Sequence, residues 1–322
     1  MEAPISITGP AKLYALVLKL RPLQYGTLMA FSGELVHGAF LRWLRNAAPD
    51  VAAWLHEGNK RRLFTCSSLC YPYMEERMLD AERRNVHLPL EPERTYTVRL
   101  TLLLGELFPL FHRALVDFSA LQARDVRPPF MQLGKQLFLL EEVQITNDEV
   151  TDWTGFTTLA SLVEQAREVR FGREGALTLN FVSLTTFSRG NPKTGYGAHQ
   201  VMLPLPQFVF QNLARRWQDV APPELAGVVQ VDRIEDYLQN DGAIIIDYNL
   251  KAHHVHFTTH QQRGFVGTCT YQLRDSGDPP TSETPLTLRQ QIYLLASLAF
   301  YSGIGYKTAM GLGRSRIALN HS

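Results

Sequence analysis

The sequence predicts an α+β protein made of two βαββαβ domains in tandem, and three observations carry that expectation. The chain has 322 residues, room for two ordinary domains at roughly 150 residues each. Its first half alternates strand-like and helix-like periodicity in the order β-α-β-β-α-β, the ferredoxin-like (RRM-like) pattern. After a polar connector the same order recurs, although no repeat of sequence accompanies it.

The first domain, residues 1–150, opens with a strand from Lys12 to Leu20 that stops at Arg21-Pro22. A helix from Gly33 to Arg45 puts Val36, Phe40 and Leu44 on one face. Pro49 to His56 is a second helical stretch, and Arg62 to Ser67 reads as a strand. Tyr96 to Leu103 alternates as a strand does, Glu106 to Leu121 is helical, and Leu137 to Ile145 closes the set. The connector, 151–175, holds a helix near Thr158 to Arg170. The second domain, 176–322, begins with a strand from Leu177 to Phe187 and a helix from Pro206 to Val220. Strands Ala243 to Phe257 and Gly264 to Leu273 follow, then a helix from Leu288 to Tyr301 and a short strand from Arg316 to Leu319. Asp275 to Pro285, rich in Pro, Ser and Thr, is a surface loop.

Composition narrows the class. Hydrophobic residues are 45% of the chain and charged residues 20%, an ordinary globular balance. No apolar run reaches the ~18 residues of a membrane span, and the first residues lack the basic start of a secretory signal. Cys66, Cys70 and Cys269 form an odd set without metal-ligand spacing, which suits a reducing cytoplasm. Net charge is only +1, but it is unevenly spread: from Thr284 to Ser322 there is no carboxylate, while Arg289, Lys307, Arg314 and Arg316 are present. Lys60, Arg61 and Arg62 form a second basic cluster. Local patches of this kind bind a polyanion through localised contacts, or serve only as solvated surface.

The most informative segment is Gly303-Ile304-Gly305-Tyr306-Lys307-Thr308-Ala309-Met310-Gly311-Leu312-Gly313-Arg314. Two Gly-x-Gly units flank a spacer that carries Lys307, and the whole follows a helix. Glycine lets a backbone come close to a ligand and turn successive N–H groups toward an anion. The same glycines also suit a turn that only needs tight packing. The topology excludes a P-loop, whose glycines follow a strand and open a helix, and excludes a dinucleotide fingerprint for the same reason. A second loop, Arg189 to Gly197, combines glycines with Arg189, Lys193 and Tyr196.

Phe300-Tyr301-Ser302-Gly303-Ile304-Gly305, then Lys307-Thr308, then Gly311-Leu312-Gly313-Arg314, closely resembles the C-terminal glycine-rich signature of the CRISPR repeat-processing endoribonucleases. Those enzymes belong to the repeat-associated RNA-binding superfamily. Pro49 to Ser67 is similar to that family's passage from first helix to second strand. Phe181 to Phe187 resembles the first strand of its second domain, with Leu184 where proline is common, and Gly264 to Gly267 its penultimate strand. The resemblance covers about 12–70 and 178–318; residues 71–175 carry none.

The resemblance implies cleavage of precursor RNA at CRISPR repeats, often hairpins, without a metal or other cofactor. It implies an RNA-binding set of Gly303, Gly305, Lys307, Gly311, Gly313, Arg314 and Arg316, with Arg61, Arg189 and Lys193 added from their basic loops. Attack by a ribose 2′-hydroxyl needs a base, an acid and cations, and histidine fills either proton role near neutral pH. His56, in Leu55-His56-Glu57, stands where several family members place the active-site histidine, with Arg62 or Lys60 as the cation. His37, near the start of the first helix, is the second candidate. Leu41 occupies a position where one branch has tyrosine, so the acid and base roles stay open.

Two other readings remain. One is a non-catalytic RNA-binding subunit of a CRISPR effector complex, and other effector subunits are open as partners under either reading. The other is a metal-dependent hydrolase on the strand His253-His254-Val255-His256, where His254 and His256 share a face. Tyr306, Tyr196 and Phe187 are candidates for stacking on bases or for the core.

Overall fold

The computed structural model describes residues 11–56, 63–72, 74, 77–120, 129–147, 152–172, 174–190, 199–277, 280 and 285–318. The chain divides into two compact units. Unit 1 is Met1–Thr157 with Val255–His260 and Ala309–Gly311; unit 2 is Thr158–His254, Gln261–Thr308 and Leu312–Ser322.

In unit 1 the elements run β1 (Lys12–Pro22), β2 (Gly26–Met29), α1 (Gly33–Ala47), α2 (Pro49–His56), β3 (Phe64–Cys66), α3 (Met78–Arg84) and β4 (His87–Leu90). Then come β5 (Tyr96–Leu102), α4 (Leu107–Ala120), β6 (Phe130–Leu133), β7 (Gln136–Gln144) and β8 (Gly155–Thr158). The sheet order is β3-β5-β1-β7-β6, with β8 also paired to β1. β1 lies at the centre, and Ala15, Leu16, Val17 and Leu18 are all buried. A strand covered on both faces reads as a continuous apolar run rather than an alternating one. The apolar face of α1 lies over the sheet and against α4: Phe40 meets Phe64 at 4.6 Å and Phe111 at 6.1 Å between ring centroids. The Trp43 indole donates to the Phe130 carbonyl at 3.0 Å, tying α1 to β6.

Unit 2 contains α5 (Leu159–Glu168), β9 (Ala176–Thr185), β10 (Phe187–Arg189), β11 (His199–Val201), α6 (Pro206–Val220), α7 (Pro223–Ala226) and α8 (Val231–Gln239). It continues with β12 (Ala243–His256), whose last two residues are counted in unit 1, β13 (Gln261–Leu273), α9 (Leu288–Ser302), a 3₁₀ turn Thr308–Met310 of which only Thr308 is counted in unit 2, and β14 (Ser315–Ile317). The four main strands are ordered β12-β13-β9-β14. Counted within each βαββαβ set, both sheets therefore run second, third, first, fourth. This shared order makes the molecule two ferredoxin-like domains in tandem. The expected strand Leu177 to Phe187 breaks at Thr186, and β10 leaves the sheet to form a small ribbon with β11. Leu177, Leu179 and Phe181 of β9 and Cys269, Tyr271 and Leu273 of β13 are buried, and Tyr271 meets Phe210 of α6 at 5.2 Å between ring centroids. No helix among the described residues is long and apolar enough to cross a membrane.

Candidate functional site

The glycine segment leaves α9 at Ser302 and turns at once. Gly303, Gly305, Gly311 and Gly313 all have positive φ (62°, 91°, 92° and 72°), and so does Lys307, at 57°. Its backbone is heavily committed. Ile304 N–H donates to the Gly313 carbonyl and Gly313 N–H to the Leu184 carbonyl, both at 2.8 Å. Tyr306 N–H donates to the Thr186 carbonyl and Gly305 N–H to Asn212 Oδ1, both at 2.9 Å. Arg314 N–H donates to Ser183 Oγ at 2.9 Å. A Cβ on Gly313 would run into the Ile304 carbonyl oxygen, and one on Gly305 into that of Thr186. The glycines are thus required by backbone packing and backbone angle. What the segment turns outward is side chain: Tyr306 is 44% exposed, and Lys307 Nζ stands 5.5 Å over its ring. Arg314 and Arg316 are half-buried, Arg316 on β14 opposite Asn180.

Lys307 is the only non-glycine in this segment with a left-handed backbone, a conformation that disfavours a side chain. Anchors on either side hold it there: the Tyr306 N–H bond, and Arg216, whose Nη2 donates to Thr308 Oγ1 at 2.9 Å. Arg216 is 5% exposed, on α6. Neither Asn212 nor Arg216 was legible from the sequence as a site residue, because α6 also carries Gln207, Gln211, Arg215 and Gln218 and the two leave no separate signal among them. Phe208, one turn earlier, carries the Arg189 guanidinium at 5.3 Å from its ring and stacks on Phe187 at 5.8 Å. Phe187 is buried, so it is core rather than a platform for bases. Lys193 and Tyr196 lie outside the described residues.

In unit 1, Ala309 offers one carbonyl oxygen to two donors, His37 Nδ1 at 2.9 Å and Cys66 Sγ at 2.8 Å. A carbonyl only accepts, so His37 carries its proton on Nδ1 in this contact. His37 is buried and stacks on Phe64 at 5.5 Å. Burial drives the Cys66 thiol far above its ordinary pKa, against a smaller opposing hydrogen bond from the Gly311 backbone. Cβ-free contact is again needed: a Cβ on Gly33 would strike the Met310 carbonyl, and Gly311 sits against Gly33 and Phe31. His56 is different. It is exposed, at the last residue of α2, where the carbonyl end of a helix favours positive charge. Lys60, Arg61 and Arg62 lie outside the described residues.

Along the histidine strand, His253 is buried while His254 and His256 are half-buried. His260 stacks on Phe257 at 5.0 Å. Beyond the strand, Thr258 donates from N–H and Oγ1 to Glu34 Oε2 at 2.8 and 3.0 Å. Among the described residues no group of three or more His, Cys, Asp or Glu is placed to hold a metal ion, this strand included.

Residues 179–315 match the family model described as CRISPR-associated endoribonuclease Cas6, a stretch that includes the whole glycine segment. No curated protein matches the chain in sequence. Among solved structures, a product complex of Cas6 (TTHB231) is 26% identical, with a TM-score of 0.70 over 95% of this chain and 100% of that one. Thermus thermophilus Cas6 (TTHB231) gives 23% identity and a TM-score of 0.60 over 96% and 100%. A product complex of Cas6 (TTHA0078) gives 22% and 0.64 over 96% and 100%. The last two likenesses speak for the fold. Taken with the family match over residues 179–315, the glycine segment and the duplicated βαββαβ order, the 26% identical structure makes the chain similar to the CRISPR repeat-processing endoribonucleases.

Proposed function

We propose that the protein cuts CRISPR repeat RNA by metal-independent transesterification, with His56 as the histidine that moves the proton. The endonuclease reading rests on the family match over residues 179–315; the choice of His56 rests on one observation, its exposure at the end of α2 while His37 is buried against Phe64 and Ala309. A group that meets a scissile phosphate must reach solvent-borne RNA, and His56 does.

The chemistry balances simply. A base takes the proton of the ribose 2′-hydroxyl, O2′ bonds to the adjacent phosphorus, and the bond from phosphorus to O5′ breaks. An acid gives O5′ a proton, so the products end in a 2′,3′-cyclic phosphate and a 5′-hydroxyl. His56 serves as base or acid, and Lys60 or Arg62 offsets the charge growing on the phosphorane. In this reading residues 1–150 carry the chemistry, 151–175 connect, and 176–322 hold the RNA through Lys307, Arg314, Arg316 and Arg189. Arg61 and Lys193 extend that basic surface. No cofactor is required, and the free thiols of Cys66, Cys70 and Cys269 suit a cytoplasmic setting.

The test is cleavage of repeat RNA from the host's own array, in EDTA, by wild type, His56→Ala and His37→Ala. Wild type should leave cyclic phosphate ends, and His56→Ala should bind RNA but cut at least about a hundredfold more slowly, the usual size of a lost acid–base group. Loss confined to His37→Ala would move the active site. A second reading, a non-catalytic RNA-binding subunit of an effector complex, is favoured by the family match beginning at residue 179, beyond every candidate catalytic histidine. Wild type that binds repeat RNA and never cuts it would establish that reading.

A further inference from the structure

Three residues of α6, Phe208, Asn212 and Arg216, repeat at a spacing of four and so form one row along the helix. Each holds part of the surface proposed to meet RNA. Phe208 carries the Arg189 guanidinium on its ring at 5.3 Å. Asn212 Oδ1 accepts from Gly305 N–H at 2.9 Å. Arg216, 5% exposed, donates to Thr308 Oγ1 at 2.9 Å, beside the left-handed Lys307. The row from 208 to 216 covers about 12 Å of helix axis. A single rigid element therefore sets the separation between two cations, Arg189 at the end of β10 and Lys307 in the glycine segment.

We propose that this row of α6 is a positioning rail, which holds Arg189 and Lys307 at a fixed spacing so that both contact phosphates of one RNA strand. The proposal rests on the reading that the glycine segment binds RNA. Phe208, Asn212 and Arg216 touch no RNA themselves. Their work is to hold the loops that do: Arg216 and the Tyr306 backbone bond pin the two peptides that flank Lys307 and keep its strained backbone in place, and Phe208 aims Arg189.

The experiment compares repeat-RNA affinity at several salt concentrations, between roughly 50 and 200 mM, with thermal unfolding as the structural control. Thr308→Val removes the acceptor for Arg216 while keeping the side-chain size. It should weaken RNA binding about tenfold and lower the salt slope by about one phosphate contact, with a lowered thermal midpoint but a fully folded baseline at the temperature of the binding assay. Lys307→Ala should then have no further effect in the Thr308→Val background, as expected when both changes remove one contact, and Thr308→Ser should restore wild-type binding. Phe208→Leu with Arg189→Ala forms an independent arm with the same expected pattern.

Binding by Thr308→Val and Phe208→Leu within twofold of wild type would overturn the rail. So would an undiminished effect of Lys307→Ala in the Thr308→Val chain, or a fall in stability with an unchanged salt slope. If Lys307→Ala alone leaves affinity and slope unchanged in the wild-type chain, Lys307 makes no phosphate contact and the rail falls, while loss of binding in Arg314→Ala would still support RNA binding by the rest of the segment.

Discussion

Ala309 contributes only a carbonyl oxygen, yet His37 and Cys66 both direct a proton at it. The sequence put His56 first, on its place in the resemblance and its basic neighbours, and His37 second; the two differ in burial, His37 being buried and His56 exposed. Burial is a property of packing across long stretches of chain, and no local pattern around His37 announces it. The glycines were legible and their purpose was not. The sequence offered an anion cradle or a tight turn, and the N–H bonds of Ile304, Gly305, Tyr306, Gly313 and Arg314 put the turn first. Gly313→Ala combines a left-handed φ of 72° with a collision at the Ile304 carbonyl. It should therefore cost at least about 2 kcal/mol of stability, read as a drop in the denaturant midpoint; a drop below about 0.5 kcal/mol would return the loop to the cradle reading.

Elements with strong periodicity were legible almost to the residue. Pro49–His56 and Pro206–Val220 begin and end as expected, since proline at a first turn and an amphipathic repeat fix both. Short elements were not. β2 and β4 are four residues each and, among the described residues, form a two-stranded ribbon of their own; a pairing between Gly26 and Leu90, far apart along the chain, in a ribbon that size leaves no alternation long enough to read. α8 hides in a charged stretch because only Ile234, Tyr237 and Leu238 of its nine residues are buried. The β10–β11 ribbon was missed because nothing in Phe187 to Arg189 distinguishes a strand that continues from one that leaves its sheet. α9 shows the opposite case, a start written in the sequence: Thr287 Oγ1 accepts from Gln290 N–H at 3.3 Å, and Gln290 Oε1 accepts from Thr287 N–H at 3.0 Å. Replacing Thr287 with alanine should destabilise the protein by about 1 kcal/mol, measured by urea unfolding, and Thr287→Ser should restore most of it.

At the scale of the molecule, two units share one strand order without sharing sequence, and each buries ionisable groups in its core. Burial raises the thiols of Cys66 and Cys269, the latter to about 11, and the phenols of Tyr237, to about 12, and Tyr271. The unfolded chain releases these protons in the ordinary range, while the folded chain retains them. Above that range the folded state binds more protons, so stability must fall as pH rises. The thermal midpoint should hold steady with respect to these groups up to about pH 8 and decline beyond the ordinary thiol range. A midpoint unchanged to about pH 10 would mean that the buried thiols ionise without penalty.

The internal bonding of the glycine segment has a consequence for the energetics of recognition. A loop whose amides are already engaged has few alternative shapes to lose when a ligand arrives, so little conformational entropy is surrendered on the protein side. Under the proposed function, in which this segment meets RNA, the ordering then falls on the nucleic acid. A repeat that is already folded surrenders less freedom than an unstructured strand of the same composition, and a stiff receptor of this kind ranks RNAs by how well organised they are before they arrive.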